Sequence, residues 1–109
     1  MEITVKPGKH GGEHKVAIAG AMTIYDAAAA KDTLLDALKG ATQIEVDLSG
    51  VDEMDTAGAQ LLVLLKREAA STGKGVALCG HSPAVLEVFD CYRLAAHFGE
   101  AMLTGEGKQ

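Results

Sequence analysis

A carboxylate stands beside a hydroxyl in the stretch VDEMDTAGAQLLVLL, residues 51–65. Asp55 and Thr56 follow an acidic, loop-like approach. The small residues Ala57, Gly58 and Ala59 come next, then Gln60 and five aliphatic residues in a row. Two kinds of chemistry suit this order. Either side chain can accept a hydrogen bond from a first-turn N–H of a helix, worth roughly 1 kcal/mol. The same turn carries about half a positive charge and exposed N–H groups, which suit a phosphate. A phosphorylated Thr56 would bring about −1.5 to −2 charges to that point. As a pure cap the stretch is under-built, because no Glu or Gln lies three residues after Thr56 to complete a capping box. Gly58 is disfavoured within a helix by about 1 kcal/mol relative to alanine, less at its first turn. Small residues there let something approach the backbone closely. On the residues alone two readings of Thr56 stay open, a plain helix cap and a phosphoacceptor, and the small residues beside it suggest that the cap is also a contact surface.

No second constellation competes with it. His10, His14, His81 and His97 are scattered and form no recognised metal-site motif. There is no serine nucleophile elbow. GKHGG lacks the lysine-hydroxyl ending of a phosphate loop and reads as a turn. Asp47 ends a strand as a receiver-domain phosphoacceptor would, but the first strands supply no acidic pair for magnesium. We therefore expect a binding module with no catalytic site, metal or cofactor.

Composition narrows the class further. The chain has 109 residues, 48% hydrophobic, with a formal net charge of −5. That is enough for one domain over 1–109, with a frayed polar tail at about 104–109. An acidic domain repels a phosphate backbone, so no nucleic-acid partner is expected. The N-terminus has no apolar leader, and the longest aliphatic run is five residues. Membrane insertion is not expected, and a cytoplasmic location is. Cys79 and Cys91 read as small core fillers in a reducing compartment.

The elements that must position Asp55 and Thr56 follow from periodicity. EITVK and EHKVAIA alternate around the PGKHGG turn and read as a hairpin. In residues 21–40, Ala27, Ala30, Leu34 and Leu38 form a helical stripe that stops at Gly40. TQIEVDLSG alternates as a strand ending near Ser49-Gly50. Residues 57–71 read as a helix stopped by Gly73, GVALC as a fourth strand, and HSPAVLEVFDCYRL as a third helix with Ser82 as N-cap and Pro83 in its first turn. AAHFGEAML is a short strand or a half-turn. The order β-β-α-β-α-β-α predicts an α/β fold: a mixed, mostly parallel sheet of four to five strands with right-handed crossovers. The polar face of QIEVDL places the helices on one face only.

On the second helix Leu61, Leu62 and Leu65 point inward with Ala69, while Val63 falls between Gln60 and Arg67 on the polar side. Either Val63 is partly buried under a neighbouring helix, or Thr56, Ala59, Gln60, Val63 and Arg67 form a contact stripe, a hydrophobic contact within an amide and basic rim. Thr23 and Tyr25, in the adjoining 20–26 loop, complete the expected docking surface with Asp55, Ala57 and Gly58.

The stretch IEVDLSGVDEMDTAGAQLLVLLKREA resembles the signature of STAS domains, the group named for sulphate transporters and anti-sigma factor antagonists. The resemblance covers nearly the whole chain: the element order, the DLSxVxxxDxxG spacing, the long apolar helix and a last major helix like HSPAVLEVFDCYRLAAHF. It implies an anti-sigma factor antagonist-like regulator. In that group the hydroxyl residue after the motif aspartate is phosphorylated by a partner serine kinase, the modified form lets go, and a phosphatase resets it. Carried over, Thr56 is the phosphosite, Asp55 its flanking acid and Gly58 the motif glycine, while Asp47 and Ser49 are structural. The chain departs from the group in having threonine for serine, Ala57 for a second hydroxyl, and Ala21 and Thr23 where acids are frequent. DTAG also resembles the STAS subunit of lipid-transport ABC systems and stand-alone STAS proteins of chemotaxis-like signalling. The implied partner is thus a protein kinase or anti-sigma factor, a chemotaxis-like signalling protein, or an ABC ATPase.

Overall fold

The computed structural model describes residues 1–8 and 11–92, and the side chains of Cys91 and Tyr92 lie outside that description. The elements are β1 (Glu2–Pro7), β2 (Glu13–Met22), α1 (Ile24–Lys39), β3 (Gln43–Met54), α2 (Thr56–Ser71), β4 (Gly75–Cys79) and α3 (Pro83–Tyr92). This is the expected order. The sheet runs β1-β2-β3-β4. β1 pairs with β2 antiparallel, and the β2–β3 and β3–β4 pairs are parallel. The described residues thus hold a four-stranded mixed sheet. The expected closing element at 95–103 and the tail at 104–109 lie outside them.

Strand alternation sorts the sheet into two faces. Val16, Ile18, Ile44, Val46, Leu48, Val76 and Leu78 are buried together with residues of all three helices. Lys15, Ala17, Glu45, Asp47, Ala77 and Cys79 alternate with them and are at least partly exposed. On this uncovered face Lys15 and Glu45 pair at 3.3 Å. Cys79 sits here as well, so it is not the core filler expected from its strand-like surroundings. Its place in the period of two, opposite Leu78, puts it on the outer face. Partial desolvation, with the charges of Glu45 and Asp47 beside it, pushes its thiol up to about 11.

Two helix boundaries have identifiable causes. The Lys74 ammonium donates to the carbonyls of Leu38 at 2.7 Å and Lys39 at 3.1 Å, covering the C-terminal end of α1. Ser82 caps α3 as expected, its hydroxyl accepting from the Val85 N–H at 3.3 Å.

Two further sequence expectations change. β3 does not stop near Ser49-Gly50 but continues to Met54. The second half of β2 carries it: Ala19, Gly20, Ala21 and Met22 pair with Gly50, Val51, Glu53 and Met54 across two register shifts. The shifts absorb extra residues without ending the ladder, which hides the continuation from a simple alternation count. The stretch before Asp55 is therefore sheet, with Val51 and Met54 buried, and not an acidic loop.

Val63 is the second correction. It is only 6% exposed and belongs to the core. α2 contacts α1 and α3 as well as β3 and β4. A helix with neighbours on three sides buries a wider arc than a one-sided amphipathic stripe, and Val63 falls at the edge of that arc. It is removed from the docking surface. Val63→Asp would place an unpaired carboxylate in the core, and we expect it to lower unfolding free energy by at least about 3 kcal/mol. Urea denaturation measures this; a variant with unchanged stability would return Val63 to the surface.

Candidate functional site

The carboxyl ends of β2 and β3 lie side by side, and the chain turns from each directly into a helix. Met22 and Met54 are register partners. The Asp55 N–H donates to the Met22 carbonyl at 3.2 Å, extending the strand pairing by one residue. Asp55 then adopts extended backbone as the N-cap of α2, and its Oδ1 accepts from the Gly58 N–H at 3.1 Å. Its Oδ2 accepts from the Ile24 N–H at 3.0 Å. Ile24 is the first residue of α1, whose own N-cap, Thr23, makes no side-chain cap. One carboxylate thus caps two helices. The missing capping box has this explanation: the Asp55 N–H, which an N3 side chain would otherwise accept from, already donates to the Met22 carbonyl.

Gly58 also has an internal reason. A Cβ built there would collide with the Met22 carbonyl oxygen and stand 2.9 Å from Met22 Cβ. The close approach permitted by the small residue is that of the chain's own β2 end. A partner is not what Gly58 admits. Asp47 and Ser49 are structural in the same sense. Asp47 Oδ1 accepts from the Ser49 N–H at 2.9 Å, and a Cβ on Gly80, whose φ is +64°, would strike the Asp47 carboxylate.

Around this junction the expected docking residues separate into two groups. Thr56, Gln60 and Arg67 are exposed and share a face of α2. Ala57 and Asp55 are half-buried, whereas Gly58, Ala59 and Val63 are buried. Thr23 is 9% exposed and serves as foundation, so it leaves the expected surface as well. Its neighbour Ile24, which sequence reasoning passed over, is 67% exposed, and Tyr25 is 93% exposed. Helical phase held the signal for Tyr25: five residues before buried Ala30, it points about 140° away from it. Among the described residues, no group of three or more His, Cys, Asp or Glu side chains is placed to hold a metal ion.

The electrostatics are one-sided. Residues 16–30 and 40–65, which supply β3, the C-terminal part of β2 and the starts of α1 and α2, contain no lysine or arginine. They do contain Asp26, Asp52, Glu53 and Asp55. The Ile24 N–H does most to hold the Asp55 carboxyl below the ordinary aspartate range; desolvation opposes it, and the Gly58 and Ala57 N–H groups add to it. A carboxyl depressed in the folded state contributes stability that is present above its unfolded value, about 3.9, and lost as pH falls through the lower folded value.

Two predictions come from this geometry. Gly58→Ala should destabilise the fold despite alanine's better helix propensity, by about 2 kcal/mol or more, because its methyl meets backbone. A neutral or raised melting temperature would disprove the close approach. Asn at position 55 offers only one acceptor oxygen, so its amide nitrogen must face an N–H. Asp55→Asn should therefore melt below wild type at neutral pH, with the gap closing on acidification below about pH 4. Thermal melts across pH test this, and a pH-independent gap would mean the carboxylate charge is irrelevant.

Comparison with known proteins agrees with this architecture. A family model described as "Mlab, STAS domain" matches residues 5–104. A search of curated proteins returns no match. An anti-sigma factor antagonist from Mycobacterium paratuberculosis superposes with a TM-score of 0.74 at 19% identity, covering 89% of this chain and 83% of that one. The anti-sigma factor antagonist SpoIIAA in its unphosphorylated form gives 0.72 at 18% identity, covering 87% and 84%. A structure of Mglu gives 0.59 at 24% identity over 69% of this chain, which spans only 18% of the length of that protein. At these identities the structures establish a shared fold. The family match covers almost the whole length, and the chain belongs to the STAS family.

Proposed function

We propose that this STAS domain is a non-catalytic, cytoplasmic regulatory module that docks to a partner protein through the start of α2, with docking controlled by phosphorylation of Thr56. The observation that carries this reading is the place of Thr56: exposed, at the first residue of α2, beside the carboxylate that also holds the start of α1. A kinase can reach the hydroxyl. The phosphate would gain from the helix N-terminus but would stand next to Asp55, in a part of the chain without cations. It would remain a hydrated dianion in the middle of a contact surface and oppose docking by its desolvation. The leading partner is a serine kinase or anti-sigma factor, as the fold shared with SpoIIAA supports, and a phosphatase would restore the docking form. The STAS fold has been seen in both forms of SpoIIAA, the phosphorylated Bacillus protein superposing with a TM-score of 0.67.

A second reading has a specific support: the matching family description names Mlab and no anti-sigma factor antagonist. Ala57, Ala21 and Thr23 also depart from the antagonist pattern. On this reading the domain is the STAS accessory subunit of a lipid-transport ABC ATPase, and Thr56 supports docking without modification.

Wild type and Thr56→Glu used as baits in host lysate, read by mass spectrometry, separate these readings. We expect wild type to retain a serine kinase and the glutamate bait to lose it at least about tenfold. An ABC ATPase held in its place establishes the second reading. Equal retention by both baits would reduce Thr56 to a helix residue without a switching role.

A further inference from the structure

Ile24 and Tyr25 are two of the three large hydrophobic side chains exposed among the described residues; the third, Val5, is on edge strand β1. Isolated exposed apolar residues are ordinary. This pair differs in its support. Met22 and Thr23, immediately before it, are buried, the Ile24 N–H is held by Asp55, and the Asp26 N–H donates to the Thr23 carbonyl at 3.0 Å. Two large side chains therefore project from a backbone fixed by the core and by the start of α2. Tyrosine presented in this way loses little entropy on binding, since it has only two side-chain torsions. Aromatic anchors of this type dominate interface energetics.

The surroundings define what can cover the pair. Asp26 and Asp55 adjoin it, Glu53 lies at the neighbouring strand end, and the two chain segments that build this end carry no lysine or arginine; the Met1 ammonium, 3.7 Å from Asp26, offsets only that one charge. A second copy meeting the same surface would bring acid against acid. An anionic lipid surface would be repelled as well. Resting on the docking function proposed above, we infer that Ile24 and Tyr25 are the anchor of that surface, seated in an apolar pocket of a partner protein whose rim is basic. Rim charges steer encounter and orientation and contribute little to affinity each, whereas the anchor supplies most of it. A phosphate on Thr56 adds attraction to the rim, but it must be dehydrated within the contact. The dehydration outweighs the attraction and releases the partner.

A photo-cross-linking residue, p-benzoylphenylalanine, placed at position 25 in full-length protein in host cells tests this, with the same residue at position 60 on α2 in parallel. Tyr25 is almost fully exposed, so the replacement should leave the melting temperature unchanged. The expected product joins position 25 to a protein segment of apolar residues flanked by lysine or arginine. With that partner purified, Tyr25→Ala should weaken binding about tenfold or more. Cross-linking to a second copy, to lipid or to an acidic protein surface overturns the proposal. Cross-linking from position 60 alone also overturns the anchor but leaves docking through α2 standing. No product from either position removes both.

Discussion

The start of α1 and the start of α2 share one carboxylate. Asp55 gives one oxygen to the Ile24 N–H and the other to the Gly58 N–H, while its own N–H binds the Met22 carbonyl. Helix starts ordinarily need a cap each, because their first N–H groups have no partner within the helix. Here one residue satisfies donors on both, which is possible only if the ends of β2 and β3 coincide. The length of β3, the two register shifts and the close approach of Gly58 to Met22 are all conditions for that coincidence. The bond between Asp55 and Ile24 therefore constrains the sheet, the two helices and the surface they present.

The proposed function rests on what this constraint exposes. Thr56 and the pair Ile24–Tyr25 come from segments about thirty residues apart, yet both adjoin the shared cap. A surface fixed to rigid elements loses little freedom when a partner binds. A charge added at Thr56 acts next to the same carboxylate, with no cation from either segment to absorb it. Such a surface can change affinity while the fold stays the same, which is what a regulatory module requires.

The remainder of the molecule supports this end from a distance. Lys74 covers the last carbonyls of α1, so that helix is held at both ends by side chains from outside it, Asp55 and Lys74. The helices crowd one face of the sheet, and this crowding draws Val63 into the core. The other face carries Lys15, Glu45 and small residues, among them Cys79, and no described helix covers it.

Element order, the mostly parallel sheet, the single covered face and a helix cap at Asp55 or Thr56 were legible in the chain, because periods of two and near 3.6 and the cap residues are local properties; the structure gives the cap to Asp55. The exposure of Thr56, Gln60 and Arg67 on one helical face was legible for the same reason. What neighbours do to a residue was not. Val63 and Thr23 have the local marks of surface positions, and packing buried them. Gly58 reads as an opening for a partner, and the end of β2 fills it. The second oxygen of Asp55 has no signature in sequence, since its donor lies 31 residues away and meets it only when two strands finish in register. Local periodicity decided which elements form. The convergence of their ends decided which side chains remain on the surface and which single carboxylate holds them there.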